Sequence, residues 1–114
     1  APAHYNLGNI YRILGKHQEA LLLYKKAIWH NREFADAYHN MGIIYEYLDD
    51  TQRAIDSYKE ARRFKLEDAE THYRLGIVYA KVKDYGESLK SFNDFLRCAT
   101  DELSDEKDKV KQQI

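Results

Sequence analysis

The sequence predicts an all-α fold in which pairs of antiparallel helices repeat along the chain. A stretch of 14 residues appears three times at a spacing of 34 residues, at 1–14, 35–48 and 69–82. Apolar residues within each copy recur at intervals of three and four, which is the spacing of an amphipathic helix and not of a strand. Turn signals come after each copy. Self-similarity at a fixed period of this length is the signature of a helical repeat array.

The first helix of each repeat is predicted from its apolar stripe. In the first repeat this stripe consists of Leu7, Ile10, Tyr11 and Leu14. The equivalent residues are Met41, Ile44, Tyr45 and Leu48 in the second repeat, and Leu75, Val78, Tyr79 and Val82 in the third. The short segments after these helices, at Gly15-Lys16, Asp49-Asp50-Thr51 and Lys83-Asp84-Tyr85, are typical of turns between antiparallel helices.

The second helix of each repeat comes after the turn and has an apolar stripe of its own. In the three repeats these stripes are Leu21, Tyr24, Ala27 and Ile28; Ile55, Tyr58 and Ala61; and Leu89, Phe92, Phe95 and Leu96. The 34-residue period therefore divides the 114 residues, which amount to one domain, into three units at 1–34, 35–68 and 69–102.

A glycine occupies the same place in all three first helices, at Gly8, Gly42 and Gly76. Glycine in a helix interior costs about 1 kcal/mol relative to alanine, so three such glycines in register indicate a packing requirement. We expect the second helix to approach closely at this point, with small residues such as Ala20 and Ala27 across the contact. The tyrosine rings fill the space beside them.

The period and these residues together resemble the tetratricopeptide repeat family. The resemblance rests on Gly8, Tyr11, Ala20, Tyr24 and Ala27 and on two further copies, and it covers residues 1 to about 102. It implies that the units stack into a right-handed superhelix whose first helices line a concave groove. Phe95 departs from the family pattern because it replaces a small residue, so the third unit is expected to pack differently on the C-terminal segment.

The resemblance also implies which side chains face the groove. They flank the glycine on the side away from the core, and amide, tyrosine and arginine side chains among them suit a peptide ligand. The predicted groove residues are Tyr5, Asn6, Asn9, Arg12, Ile13, Asp36, His39, Asn40, Ile43, Glu46, Tyr47, Glu70, Tyr73, Arg74, Ile77 and Lys81.

Chaperone-binding members of the family hold a C-terminal carboxylate in a clamp of two lysines, two asparagines and an arginine. Asn9, Asn40 and Arg74 match three of these places, whereas Tyr5 and Glu70 stand where the lysines would be. Because Glu70 would repel a carboxylate, we expect this chain to be co-chaperone-like in fold but to lack a working clamp.

The C-terminal segment, 103–114, is rich in charge and contains neither glycine nor proline. It is predicted to be helical, and two arrangements are open. A separate helix could begin at Thr100, with acidic residues in its first turn, and pack Leu103 and Val110 on the third unit. Alternatively, the last repeat helix continues without a break. The interruption of the apolar stripe at Glu106 slightly favours the separate helix.

An exposed apolar patch is predicted on the second helix of the first repeat. Leu22 and Trp29 stand seven residues apart with Leu23 beside them, and we call these three residues the outer patch. The places of Leu22 and Trp29 hold charged residues in the other repeats: Asp56, Arg63, Lys90 and Arg97. Exposed apolar patches mark contacts, so the outer patch binds a partner or is covered by an upstream segment.

The composition argues against most other classes of function. With 18 basic and 19 acidic residues the chain is near neutral, which gives no footprint for nucleic acid. The chain contains a single cysteine, Cys98, and no apolar run long enough to span a membrane, so we expect a cytoplasmic protein without an intrachain disulfide. The five histidines are scattered, and no phosphate loop is present, so no metal, cofactor or catalytic residue is expected.

The sequence therefore predicts a non-catalytic scaffold or adaptor that binds a peptide or helix of a partner protein in the groove. The alternative is a structural module that self-associates, through its ends or through the outer patch. The first helix is as apolar as the internal ones and has no polar cap, although repeat arrays need caps at their ends. The chain also begins inside a repeat, so we expect it to be a piece of a longer protein or a mature product.

Overall fold

The structure is a computed structural model that describes the backbone of residues 2–112 and the side chains of residues 3–99. Within these residues it consists of six α-helices without any strand, which confirms the all-α prediction. The helices are α1 (Pro2–Ile13), α2 (His17–His30), α3 (Ala35–Tyr47), α4 (Thr51–Phe64), α5 (Ala69–Lys81) and α6 (Tyr85–Gln112).

The chain forms two compact units. The first, Ala1–Leu66, contains α1 to α4, and the second, Glu67–Ile114, contains α5 and α6. In the first unit α1 packs against α2, α3 packs against α4, and α2 also packs against α3. In the second unit α5 packs against α6. Each pair of first and second helices is thus an antiparallel hairpin.

Each repeated glycine lies against an aromatic ring of the second helix of its hairpin. A Cβ atom on Gly42 would lie 2.5 Å from the ring of Tyr58, which is too close for any side chain to fit. The equivalent distances are 2.8 Å from Gly8 to Tyr24 and 2.6 Å from Gly76 to Phe92. The predicted close approach is therefore present, but the aromatic ring itself is the group that the glycine meets. The sequence predicts the small alanines at that place, with the rings beside them, and this part of the prediction is wrong.

The turns inside the three hairpins share one backbone geometry. Gly15, Asp49 and Lys83 have φ angles of 79°, 60° and 64°, in the left-handed region. The residue after each one donates its N–H to a carbonyl five residues back, at distances of 2.8, 2.8 and 2.9 Å. This is the Schellman arrangement, in which a left-handed residue lets the chain satisfy the last carbonyls of a helix. The turns lie where the sequence predicts them.

The last helix is longer than the sequence favoured. The prediction of a separate helix beginning at Thr100 is wrong, because α6 runs unbroken to Gln112. The physical reason is that no glycine or proline occurs after Gly86, so nothing in the sequence ends the helix. The predicted packing of Leu103 and Val110 lies outside the residues whose side chains are described, and residues 113 and 114 lie outside the described backbone.

Candidate functional site

A hydrogen-bond network joins α1 to α3 in the first unit. The side-chain nitrogen of Asn40 donates to the hydroxyl of Tyr5 at 3.1 Å and to Oδ1 of Asn9 at 2.9 Å. The hydroxyl of Tyr24, on α2, also donates to Oδ1 of Asn9. Arg12 donates from Nε to the Tyr24 hydroxyl at 3.3 Å. Four predicted groove residues, three from α1 and one from α3, are thus brought together around one buried tyrosine.

The network limits what these amides can offer to a ligand. A side-chain amide carries two N–H donors, and both donors of Asn40 are used inside the protein. Its remaining capacity is that of an acceptor. Asn6, one turn from Asn9 on α1, lies exposed. Asn6 is therefore an amide of this unit that presents both donors and an acceptor at the surface.

Burial makes the Tyr24 hydroxyl harder to deprotonate. Burial raises the pKa of the Tyr24 hydroxyl above its ordinary value of 10, and Arg12 opposes the shift through its hydrogen bond and its charge. The neutral hydroxyl can therefore donate to Asn9 while it accepts from Arg12. The sequence predicts that the Tyr24 ring fills space beside the helix contact, and the structure adds the hydrogen bonds of its hydroxyl.

A small cavity lies between the end of α1 and α3. Its volume is about 260 Å³, and its walls include four predicted groove residues: Arg12, Ile13, Ile43 and Tyr47. The other lining residues are Gly15, His17 and Ile44. Ile13 and Tyr47 are exposed, so the cavity opens to solvent beside two large apolar side chains. Isoleucine walls with a guanidinium at the rim suit an apolar group that is next to an acidic one.

His17 lines the cavity and is a residue that the sequence does not predict for this site. Its ring lies 4.8 Å from the ring of Tyr47, between centroids. Its Nδ1 atom is buried and has no hydrogen-bond partner among the described residues. His17 is the first residue of α2, and its place in the turn gave no sequence signal that it would meet a tyrosine on α3.

Two other predicted groove residues of this unit are held in place by aromatic packing. Tyr5 packs against Phe34, with ring centroids 4.8 Å apart. His39 is a correction, because only 7% of it is exposed. Its ring packs 5.4 Å from that of Tyr58. The position next to Asn40 turns His39 toward the second helix of its own hairpin, so it offers a ligand little surface.

Tyr58 repeats in the second hairpin the role that Tyr24 has in the first. Its hydroxyl donates to Oε2 of Glu46 at 2.6 Å. Glu46 stands 34 residues after Arg12 and therefore occupies the same place on its helix. The predicted groove residue Glu46 is thus tied to the core tyrosine.

The groove residues predicted in the second unit lie on α5. Arg74 is ion-paired with Glu70, one turn before it, at 3.3 Å. Tyr73 packs against Phe92 and Phe95, with ring centroids 5.9 and 5.2 Å away. Ile77 is half-buried and Lys81 is exposed. The arginine expected to grip a ligand carboxylate therefore already has a carboxylate beside it.

The outer patch is exposed on α2. Leu22 is 56% exposed and Trp29 is 70% exposed, whereas Leu23 is half-buried. The guanidinium of Arg32 lies 5.0 Å from the centre of the Trp29 ring, within the range of a cation–π contact. The exposure of Leu22 and Trp29 agrees with the sequence prediction.

Metal-binding and membrane-spanning features are both absent from the described residues. No three histidine, cysteine, aspartate or glutamate side chains among them converge on a common point that could hold a metal ion. No helix in the described part of the chain is both long and apolar enough to cross a bilayer.

Comparison with known proteins identifies the repeat. The tetratricopeptide repeat family matches residues 1–34 and, in a second family model, residues 35–63. No curated protein sequence matches the chain. Solved structures do: a crystal structure of MamA has a TM-score of 0.87 at 24% identity, over 90% of this chain and 60% of that one. A second MamA structure has a TM-score of 0.82, also at 24% identity, over 90% of this chain and 56% of that one.

A third similar structure is the second tetratricopeptide domain of Spaghetti (RPAP3), bound to the HSP90 peptide SRMEEVD. It has a TM-score of 0.80 at 18% identity, over 84% of this chain and 89% of that one. The chain spans about 60% of the MamA chains that it resembles. At these identities the likeness shows the fold, and the fold agrees with the family matches over more than half of the sequence. The chain belongs to the tetratricopeptide repeat family.

Proposed function

We propose that the chain is a non-catalytic scaffold that binds a peptide or helix of a partner protein on the first helices of its repeats, which are α1 and α3 in the first unit and α5 in the second. The proposed contact residues in the first unit are Tyr5, Asn6, Asn9, Arg12, Ile13, Asn40, Ile43 and Tyr47. Those in the second unit are Tyr73, Arg74, Ile77 and Lys81. We further propose three functional units at 1–34, 35–68 and 69–102, with 103–114 as a helical extension, and an adaptor role in the cytoplasm.

The observation that carries this proposal is the cavity beside Ile13 and Tyr47. Soluble proteins rarely leave large apolar side chains exposed around a concavity unless something binds there. A volume of about 260 Å³ is below that of sites for drug-sized ligands, but it is enough for one large side chain. A peptide that inserts an apolar residue here would cover both exposed side chains.

The positive charge of Arg12, which lines the cavity, suggests which kind of residue lies next to that apolar residue in the ligand. Arg12 donates to the Tyr24 hydroxyl through Nε, and this hydrogen bond leaves the two terminal nitrogens of the guanidinium as further donors. Arginine binds carboxylates in a two-pronged geometry that lysine cannot reproduce. We therefore propose a ligand in which an apolar residue is directly before or after an acidic one.

The likeness to Spaghetti is compatible with such a ligand. That protein is bound to the peptide SRMEEVD, in which apolar and acidic residues adjoin. The proposed mode here differs, because the two clamp places that hold lysine in chaperone-binding members are Tyr5 and Glu70. Tyr5 is bonded to Asn40, and Glu70 is paired with Arg74. An internal acidic motif fits this arrangement better than a terminal carboxylate.

The test is a selection from a random peptide library against the intact chain, and then affinity measurements on the enriched peptides. We expect the enriched peptides to share an apolar residue next to Asp or Glu. Ile43→Asp should abolish their binding by putting a charge into the cavity wall. Arg12→Gln should weaken binding about tenfold, the effect of losing one charge-assisted hydrogen bond.

Leu22→Ser is the matched control, because Leu22 is exposed on α2 and does not line the cavity. It should bind the same peptides with unchanged affinity, and circular dichroism should show that all variants remain helical. Peptides that bind Ile43→Asp as tightly as the intact chain would refute the groove proposal.

The outer patch is a second candidate contact surface, and its exposure favours it. Trp29 combines a large ring with high exposure, and tryptophan is among the residues most enriched at binding hot spots. A pull-down that compares Trp29→Ser with Ile43→Asp would assign each partner to one surface. A partner lost only from Trp29→Ser binds the patch, and one lost only from Ile43→Asp binds the groove.

A further inference from the structure

The apolar stripe of α1 is uncovered. Ile10 is 53% exposed, whereas Ile44, at the same place on α3, is 1% exposed. Leu7 and Leu14 are exposed as well. The difference arises from the neighbour of each helix, because α3 has the second helix of the preceding repeat, α2, against it. The α1 stripe therefore has the composition of an internal helix, but within the described residues no preceding second helix covers it.

The apolar face of α6 is also uncovered, and it is the face that a second helix presents to the first helix of the next repeat. Leu89 is 63% exposed, whereas Leu21, at the same place on α2, is 5% exposed. Leu96 is also exposed, although its counterpart Ile28 is half-buried. In the first unit this face of a second helix lies where the first helix of the next repeat packs. The exposed face of α6 thus carries apolar residues at the places where a second helix of the first unit contacts the next first helix.

The junction between α2 and α3 shows how two such faces fit. Leu21 of α2 lines a cavity together with Tyr45 of α3 and with Leu48, the residue directly after α3, so these three side chains are neighbours across the junction. Each of these three residues has a counterpart at the same place in another repeat, one or two periods of 34 residues away. Leu89 stands for Leu21, and Tyr11 and Leu14 stand for Tyr45 and Leu48. An α6–α1 junction built on this template pairs leucine with tyrosine and leucine, as in the first unit.

The polar groups around the template junction are compatible with the same exchange. The junction cavity is also lined by Gln18, Lys25, Asp50 and Arg53, whose counterparts are Gly86, Asn93, Lys16 and Glu19. Asp50 and Arg53 form an ion pair at 3.4 Å. Lys16 and Glu19 reverse the signs of that pair and keep it balanced. No like charges are brought together among these counterparts, so electrostatics do not oppose the junction.

We propose that two copies of this chain associate head to tail, with α6 of one copy packed on the α1 stripe of the next. This inference goes beyond the groove binding proposed above, and neither rests on the other. The two faces are different, so the contact is heterologous and leaves one free face at each end of a pair. Association therefore continues beyond the dimer and extends the repeat array from copy to copy.

The test uses the solution mass measured against concentration by analytical ultracentrifugation. We expect the mass of the intact chain to rise beyond that of a dimer. Ile10→Asp spoils the α1 stripe and Leu89→Asp spoils the α6 face, so each variant alone should stay monomeric. An equimolar mixture of the two should form a dimer and nothing larger, because each variant retains one intact face and the remaining pair of faces is spoiled.

Leu22→Asp is the matched control, since Leu22 is as exposed as Ile10 and lies on neither face. It should associate as the intact chain does. All these sites are exposed, so the variants should keep their helical circular dichroism. If Ile10→Asp or Leu89→Asp unfolds, Leu14→Asp and Leu96→Asp form a second pair for the same mixing test.

Two outcomes would overturn the proposal. An intact chain that stays monomeric at every concentration would assign the α1 stripe to some other helix, such as one from a longer protein. A chain that associates while the mixture of variants stays monomeric would show that the contact is not α6 on α1.

Discussion

All three repeats share one contact between a ring and a glycine, but the ring carries a hydroxyl group in the first two repeats and none in the third. In every repeat a second-helix ring lies against the glycine of the first helix. In the first and second repeats that ring is tyrosine, and its hydroxyl is hydrogen-bonded to the first helix. In the third repeat the ring is Phe92. The place held by Arg12 and Glu46 in the other repeats is held there by Ala80.

This difference separates two requirements that the repeat imposes. The flat ring and the glycine satisfy a requirement of shape, which all three repeats share. A hydroxyl on that ring is buried, and buried polar groups need partners, so its presence requires a polar residue on the first helix. Where the hydroxyl is absent, alanine is sufficient. The residue pairs Arg12–Tyr24, Glu46–Tyr58 and Ala80–Phe92 therefore change together within one chain.

The largest expected effect concerns the requirement of shape. Gly42→Ala should lower the free energy of unfolding by about 2 kcal/mol, because the new methyl group overlaps the fully buried ring of Tyr58. Denaturant unfolding would measure it. Gly76→Ala should cost a similar amount, since its Cβ would meet Phe92 as closely.

Gly86→Ala is the control for that series, because a Cβ there would meet no atom nearer than 4.0 Å. It should leave stability unchanged or slightly higher. If Gly76→Ala proved as harmless as Gly86→Ala, the third repeat would not share the contact of the other two.

The next effect concerns the hydroxyl of the second repeat. Tyr58→Phe removes a hydrogen bond to the Glu46 carboxylate, and such charge-assisted bonds contribute about 1.5 kcal/mol or more. We expect that loss in denaturant unfolding. Glu46→Gln keeps an acceptor at the same place, so its effect should be smaller. Equal stability of Tyr58→Phe and the intact chain would show that the hydroxyl bond is not a structural requirement.

A smaller effect is expected when the tyrosine–glutamate pair of the second repeat is introduced at the same places in the third repeat. Phe92→Tyr alone should cost about 1 kcal/mol, since the new hydroxyl faces Ala80 and lacks an acceptor. Adding Ala80→Glu should restore most of that loss. A double-mutant cycle measures the coupling directly, and a coupling near zero would mean that the residue pairs vary independently.

The smallest effect depends on pH. Folding raises the pKa of Tyr24 above 10 through burial, so the unfolded chain loses this proton first as the pH rises. The contribution of Tyr24 to stability is therefore complete below pH 10 and declines above it. Tyr24→Phe should lose less stability than the intact chain when the unfolding midpoint is compared at about pH 8 and about pH 10.5. Parallel losses would contradict the raised pKa.

The sequence was sufficient for the helices because their signals are local. Apolar spacing, turn residues and the repeated glycines each act within a few positions, and the helices lie where those signals place them. The outer patch was predictable from a comparison of the repeats, since Leu22 and Trp29 stand where the other repeats have charge. The end of α6 was less predictable, because charge alone does not stop a helix.

The site was predictable only in part because its properties depend on contacts between helices. Asn40 belongs to the predicted groove, but only the structure shows that its two donors bind Tyr5 and Asn9. His39 lies beside it in sequence and is nevertheless buried against Tyr58. A rotation of one residue on a helix changes the direction of a side chain by about 100°. An assignment carried over from a distant family can be wrong by one residue, so it predicts the direction of a side chain only to within about 100°.

The left-handed residue in each turn has a consequence for building longer arrays from this chain. Gly15 adopts that conformation without strain, whereas Asp49 and Lys83 carry a side chain into it, at about 1–2 kcal/mol each. The same turn forms in all three hairpins, so packing of the helices enforces it whatever residue stands there. Glycine at both places would relieve the strain away from the cavity and from the two end faces. The turns are thus the positions at which thermal stability can be added to a designed array while its binding surfaces stay as they are.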